Sequence, residues 1–383
     1  MNRNKIVKKK PNTHQITFVT TKDEKKSFIY FPYNHYKDEQ FWVAPLLIEQ
    51  KKLLNTAKNP FFNNADIAFF NATLNNKPAG RIAAIIDHRY NRYHNTKTGF
   101  FGFFESIDKN ETSDLLFKVA EDWLREQGMM QVLGPANPGM MDEVGVLVEG
   151  FDKYPSILMP YNKSYYDKLI TNAGYQKEMD LLTYLVTQDS VDRDRATRAM
   201  EIVKKRLPGI SIRKIKLKKI KDEVKIIREI FNSSWKNNWG FIPLSTEEFD
   251  ALAADLKTIV DDDFAHIAEI DGKPVGFSVA LPDYNQIFRN MNGRLLPFGI
   301  FKILWNKNKI NKIRTALMGV LPEYQGKGID VLLHREAIEN GLKKDVYSSE
   351  VGWILENNIQ MVRVAEKIGG TIDKRYRMYS KKL

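Results

Sequence analysis

Two stretches of this chain repeat at a single spacing. Asn76-Lys77-Pro78-Ala79-Gly80 is echoed by Gly272-Lys273-Pro274-Val275-Gly276, and Lys77 and Lys273 stand 196 positions apart. The stretch from Asn162 to Gly174 is echoed by that from Asn358 to Gly369, and Asn162 and Asn358 are also 196 positions apart. A shared offset points to one structural unit used twice. The 383 residues are enough for two domains of ordinary size.

The coarse pattern agrees. In the first half, Phe28 to Tyr36 reads as extended and Asp38 to Leu54 as a helix. Asp66 to Leu74 and Ala79 to Ile86 read as a hairpin across Asn75-Asn76-Lys77-Pro78, and Thr98 to Ser106 as a strand. A helix over Glu111 to Gln127, a strand at Met130 to Gly134, a helix over Asn162 to Ala173 and a strand at Leu181 to Val186 follow. Ala196 to Arg206 reads as a linking helix. The order then restarts with a strand at Ile210 to Lys216 and helices over Ile220 to Trp235 and Ser245 to Val260, the latter opened by a Ser245/Glu248 capping box. A hairpin turns at Asp271-Gly272, and the last elements are a strand (Val346 to Ile354), a helix (Asn358 to Ile368) and a strand (Thr371 to Ser380). The expected fold class is α/β (α+β): two tandem domains, each a mixed, mostly antiparallel sheet flanked by helices. The expected boundaries are a basic, flexible tail at 1–26, domains at 27–190 and 210–383, and a linker helix at 191–209.

The stretch most suggestive of chemistry lies in the second half. An apolar strand from Thr315 to Val320 runs into Leu321-Pro322-Glu323-Tyr324-Gln325-Gly326-Lys327-Gly328, and a helix opens at Ile329-Asp330. Two glycines between strand and helix let several amides aim at one point, and the helix N-terminus adds partial positive charge, as a phosphate or pyrophosphate requires. The spacing is neither the dinucleotide fingerprint nor a Walker loop. An ordinary strand–turn–helix joint is the competing reading.

Pro322 to Ile329 resembles motif A of the GNAT acyltransferase superfamily, Arg/Gln-x-x-Gly-x-Gly/Ala, and departs from it at Asp330. The order of elements in both halves is similar to that fold, whereas the loop motif is confined to the second half. In the first, Ile107-Asp108-Lys109-Asn110-Glu111 lacks glycine and looks like a degenerate copy that shapes an acceptor pocket. The resemblance implies acetyl-CoA or acyl-CoA as donor, an amine acceptor and no metal. It implies coenzyme contacts from Met318, Gly319, Val320, Gln325, Gly326, Lys327, Gly328, Ile329, Asp330 and Asn358, with a backbone N–H near Met318 to Val320 as oxyanion partner. The family's acid tyrosine has Ala365 in its place, so Tyr379 or Tyr376 is the substitute expected. Glu350 and Glu356 are the candidate bases, with a raised pKa expected for a carboxylate beside an apolar cleft.

Composition sets the outer limits. The absence of cysteine excludes disulfides, thiolate metal sites and a cysteine nucleophile, and the six scattered histidines add no metal-ligand spacing. With no long apolar run and no secretory segment, a cytoplasmic protein is the default. The net charge of +12 fits a phosphate-bearing cofactor or an anionic surface. Leu295 to Lys312 is apolar and aromatic within a basic frame, which suits an anionic membrane surface or the mouth of a pocket for a long apolar acceptor. The chain is also similar, more loosely, to bacterial tandem-GNAT proteins that N-acylate long-chain amino alcohols, the bacterial ceramide-synthase type. Two further readings stand beside the N-acyltransferase: an inactive tandem-GNAT binding protein, and a nucleic-acid binder, which the lack of interleaved aromatics disfavours.

Overall fold

The computed structural model describes residues 13–383. The first half contributes β1 (His14–Phe18), α1 (Lys22–His35), α2 (Leu47–Leu53), β2 (Ala65–Leu74), β3 (Lys77–Asp87), α3 (His88–His94), β4 (Thr98–Ser106), α4 (Asn110–Glu126) and β5 (Gln131–Gly134). After it come β6 (Ala136–Asn137), β7 (Glu143–Val144), β8 (Val146–Glu149), α5 (Tyr166–Asn172) and β9 (Gln176–Thr187). Helix α6 (Arg193–Arg206) leads to β10 (Ile210–Lys214), α7 (Ile220–Trp235), α8 (Thr246–Leu256), β11 (Ala265–Ile270) and β12 (Lys273–Pro282). The rest is α9 (Asn285–Phe288), α10 (Gly299–Asn306), β13 (Lys312–Val320), α11 (Ile329–Lys343), β14 (Ser348–Leu355), α12 (Ile359–Lys367) and β15 (Thr371–Lys382).

One sheet runs through both halves in the order β1-β2-β3-β4-β5-β15-β9-β14-β13-β12-β11-β10, with β8 also paired to β15. Each half has the same core, in which its fourth and fifth strands are parallel: β4 with β5, and β13 with β14. The closing strands change places. β15, at the end of the second half, pairs with β5 of the first, while β9 of the first pairs with β14 of the second. The exchanged strands pair with each other from Thr371↔Leu185 to Ser380↔Gln176. The expected domain spans therefore each place one strand in the other half's sheet.

Several local expectations meet a different outcome. Residues 13–26, expected in a flexible tail, form β1 and the start of α1; residues 1–12 lie outside the described residues. Phe28 to Tyr36 is not extended but helical as far as His35, because Thr21 and Glu24 form a capping box that starts α1 and the helix buries Phe28, Ile29 and Phe31. The helix expected over Asp38 to Leu54 shrinks to α2, which begins two residues after Pro45, where the chain is extended. The Ser245/Glu248 box forms as expected, with reciprocal bonds of 3.0 and 3.2 Å.

Candidate functional site

β13 stays beside β12 to its end, Gly276 facing Val320, but its parallel pairing with β14 stops at Thr315↔Val351. Both strands bulge there: Ala316 is the extra residue of β13 against β12, and Trp353 the extra residue of β14 against β9. A bulge adds local twist and bends a strand, so the two diverge and leave a gap between them. Leu317 packs with Phe231 of α7 on one face of the sheet, while Met318 and Val320 pack with Ile329 and Leu333 of α11 on the other. On the freed edge, the Met318 carbonyl accepts a hydrogen bond from Trp235 Nε1 at 2.8 Å. Across the gap the Trp235 and Trp353 rings stand 6.4 Å apart, edge to face.

From β13 the chain makes a short turn at Pro322–Tyr324 and reaches α11 through Gln325 to Gly328. Gly326 and Gly328 take φ of 70° and 90°, the left-handed region where a side chain is strained. At Gly328 space also forbids one, because a Cβ would lie 2.5 Å from Val203 of α6. Gln325 folds back, its Nε2 donating to the Val320 carbonyl at 3.0 Å. Among the described residues, the amides of Gly326 to Asp330 donate to no protein acceptor. They include the first amides of a fifteen-residue helix, which have no intrahelical partner. Lys327 lies over the Tyr324 ring at 5.0 Å, its charge on the surface beside these amides. Free amides, a helix N-terminus and a lysine are the donor set a diphosphate requires. Asp330 is half-buried, and its charge reaches His334 one turn on, partly offsetting the burial that lowers that histidine's pKa.

The remaining expected site residues lie elsewhere. Glu350 is fully buried, its Oε2 accepting from Ser156 Oγ (2.7 Å), Lys312 Nζ (2.9 Å) and Lys374 Nζ (3.1 Å). Burial alone would raise its pKa, but the two lysines and Ser156 outweigh that and hold it at about 2, the reverse of the raised value expected. Glu356 is tied to β9, accepting from the Asp180 amide (3.0 Å) and Lys177 Nζ (2.8 Å). Asn358 caps α12 by accepting from the Met361 amide. Tyr379 is buried in the first half's core beside β5, and its hydroxyl donates to Asp167 at 2.5 Å. Tyr376 is fully buried, with no hydroxyl partner among the described residues. Ala365 fills a small core with Leu182 and Tyr184.

The face of the gap opposite α11 opens into a cavity of about 850 Å³ between the two halves. Its walls are mainly apolar and aromatic, among them Phe103, Met140, Phe231, Phe249, Phe288 and Leu317. Four groups of charge line it. Arg81 donates to the Phe28 carbonyl (2.8 Å) and lies 3.6 Å from Glu105, which accepts from Tyr36 (2.5 Å) and Tyr166 (2.6 Å). Arg89 is paired with Glu248. Arg314 bridges the halves, donating to the carbonyls of Ile157 and Gly352 at 3.1 Å each. Asp142 and Glu143 line the cavity with exposed side chains, and the surrounding protein pushes the pKa of each up to about 7. For Glu143, Glu105 raises it further, while Arg81, Asn137 and Arg314 pull it back.

The cavity's polar residues are those the sequence reading passed over. Arg81 and Glu105 interrupt apolar strands, which was a usable signal, but Asp142 and Glu143 follow a Gly/Pro-rich stretch without periodicity. Residues 224–370 match the profile of the acetyltransferase (GNAT) family. The chain is 38% identical over 370 residues to Protein YghO of Escherichia coli (strain K12), covering 94% of each chain. It is 34% identical over 374 residues to a protein named bacterial ceramide synthase from Caulobacter vibrioides (strain NA1000 / CB15N), covering 95% of this chain and 96% of that one. The chain belongs to the GNAT family. A solved tandem GNAT protein from the clavulanic acid biosynthesis pathway shares the fold of this GNAT chain, with a TM-score of 0.56 at 11% identity over 97% of this chain and 98% of that one. It is the second GNAT unit that carries the glycine loop, whereas both units wall the cavity.

Proposed function

We propose that the protein is an acyl-CoA-dependent N-acyltransferase that moves an acetyl or longer acyl group to the amine of a long-chain amino alcohol or similar lipid-like amine. The gap between β13 and β14 carries this reading, because it lies between a diphosphate-type loop and a large apolar cavity. The amides from Gly326 to Asp330, with Lys327, would hold the diphosphate. When bound, acyl-CoA supplies the thioester carbonyl whose carbon the amine attacks. In an extended strand the N–H and C=O of one residue share an edge, so the Met318 N–H faces the gap with its carbonyl and serves as the oxyanion partner.

An amine must lose a proton before it can attack. Glu350, with its pKa held near 2 by two lysines, is a poor base. Glu143 is the better one: it faces the cavity, is within electrostatic reach of Arg314 on β13, and has its pKa raised to about 7, near the optimum for proton abstraction at neutral pH. The apolar walls take up the acceptor chain and exclude water. The relative named bacterial ceramide synthase supports this class of acceptor. None of the described helices is long and apolar enough to cross a membrane, and we place the protein in the cytoplasm with a peripheral contact to a membrane surface.

The test is release of free coenzyme A thiol with acyl-CoA and a series of amines. Turnover is expected to rise with acceptor chain length, and to be absent with ethanolamine. The replacement of the family tyrosine by Ala365 favours a second reading, an inactive binding protein. Calorimetric binding of acyl-CoA without thiol release from any long-chain amine would establish that second reading.

A further inference from the structure

The segment between Asp283 and Glu323 contains no acidic residue but seven basic ones, Arg289, Arg294, Lys302, Lys307, Lys309, Lys312 and Arg314. Its middle is α10 with the turn before it, and this carries the largest concentration of exposed apolar side chains in the described structure. Leu296 is 69% exposed, Phe298 72%, Leu304 55% and Trp305 75%, with Ile300 and Phe301 beside them. Phe301 and Trp305, one turn apart, place their rings 6.0 Å from each other on the outer face. Inward, Ile303 and Leu295 seat the helix on Ile287, Met291 and Ile310. The remaining members of that cluster include Leu46 and Phe288, which also line the cavity. One layer of side chains therefore separates the apolar patch from the cavity. The cavity's solvent-facing rim lies nearby: Pro45, Glu49 and Lys52 line it and are exposed, and the Leu47 amide that starts α2 donates to the Gly293 carbonyl at 2.9 Å. Ile48, 54% exposed, extends the apolar surface toward this rim.

The structure assigns to this face one occupant, an anionic lipid bilayer, with Leu296, Phe298, Phe301, Leu304 and Trp305 entering the interface and the mouth of the cavity held against the membrane. Scattered single apolar residues on a surface are ordinary, but a contiguous aromatic group in a segment whose charges are all basic is the pattern of an interfacial segment. A bilayer of anionic lipid meets both parts at once, the apolar side chains by burial and Arg294, Lys302, Lys307 and Lys309 by charge. A long-chain amine dissolved in that bilayer can then pass into the cavity without crossing water. This last step rests on the proposed acceptor; the docking surface does not.

Flotation of the full-length protein with vesicles tests it. Vesicles of phosphatidylethanolamine and phosphatidylglycerol are expected to carry the protein at low salt, phosphatidylcholine vesicles much less, and binding is expected to fall as salt screens the charge. The combined variant Phe298→Ser, Phe301→Ser, Trp305→Ser is expected to partition about tenfold more weakly at unchanged thermal unfolding, since those side chains already face solvent. Lys307→Glu with Lys309→Glu is expected to abolish the preference for anionic vesicles. Wild-type protein that stays with the soluble fraction on anionic vesicles overturns the proposal, as does equal flotation of the triple variant. So does a dimer, seen by light scattering, that the triple variant converts to monomer without any vesicle binding, for then a second copy covers the face. Vesicle binding without thiol release would remove the proposed reaction and leave the docking surface standing.

Discussion

Trp235 Nε1 donates to the Met318 carbonyl at 2.8 Å, on the one stretch of β13 that β14 has left. The bond fixes an indole at the junction of the gap and the cavity, where Trp353 faces it from the other side. Trp235→Phe removes the donor but keeps an aromatic plug. The expected result is a fall of about tenfold in kcat/KM for acyl-CoA, with a stability loss of only about 1 kcal/mol. Steady-state kinetics beside urea unfolding separates the two. Unchanged kinetics would mean that the gap is not where the donor's acyl arm lies.

Glu143 sets the pH dependence. Its pKa is raised to about 7, so it is protonated below that value, and a base that must be ionised makes kcat/KM fall as pH drops through 7. Glu143→Gln is expected to lose about 100-fold in kcat and the acidic limb with it, whereas Asp142→Asn keeps the limb. Stability moves the opposite way to the usual carboxylate. A folded pKa above the unfolded one, near 4.5, means that ionising the group works against the fold as pH rises from 4.5 through 7. The Gln variant should thus be the more stable protein at pH 8 and lose that advantage below pH 4.5. A pH–rate profile that keeps its acidic limb in the Gln variant would return the search to another base.

Glu350 is expected to behave as structure. Its carboxylate neutralises Lys312 and Lys374 at a buried site, so Glu350→Gln takes the counter-charge from Lys312 and leaves Lys374 with Asp373 alone. Breaking a buried pair in this way costs about 3–5 kcal/mol. Because its folded pKa lies at about 2, below the unfolded value near 4.5, its contribution is complete above pH 4.5 and is lost as pH falls toward 2. Denaturant unfolding as a function of pH measures both. Full stability with activity abolished would reinstate it as a catalytic base.

The repeat, the glycine loop and the strand order after Asp66 could be read from local pattern, because turn chemistry and apolar period are written in neighbouring residues. The strand exchange could not. β9 and β15 carry apolar patterns that suit either half's sheet, and only the global packing decides that Tyr379 pairs opposite Gly134 instead of lying beside the loop. The same holds for the cavity. Glu143 is 62 residues from Arg81 and 171 from Arg314 in sequence, and Arg314 joins the other two only because the halves close on each other. The sequence context of Glu350 pointed to a cleft, but the lysine that neutralises it most deeply, Lys374, comes from β15. Long-range partners of this kind leave no periodic trace.

Tyr379 tests the exchange directly. Its hydroxyl, on the final strand of the second half, bonds Asp167 of α5 in the first. Tyr379→Phe is expected to cost about 1–2 kcal/mol and to leave kcat within about twofold, as suits a group on the far side of β9 from the gap. A loss of kcat of about 100-fold at unchanged stability would make it the acid that the family tyrosine usually supplies.

The loop offers opposed outcomes at two neighbouring positions. Gly328 needs both its left-handed φ of 90° and the room that Val203 leaves, so Gly328→Ala must move the start of α11 and turn the free amides away from one another. Affinity for coenzyme A is expected to drop at least about tenfold, by calorimetry, because several amides lose their common target together. Asp330 acts in the other sense. Its charge favours the helix N-terminus by about 0.3–1 kcal/mol, yet it stands beside the point where the diphosphate would lie. Asp330→Asn should therefore tighten coenzyme A binding by about two- to fivefold while lowering stability slightly. Weaker binding in the Asn variant would mean that the carboxylate helps to shape the loop, and that the diphosphate is held away from it.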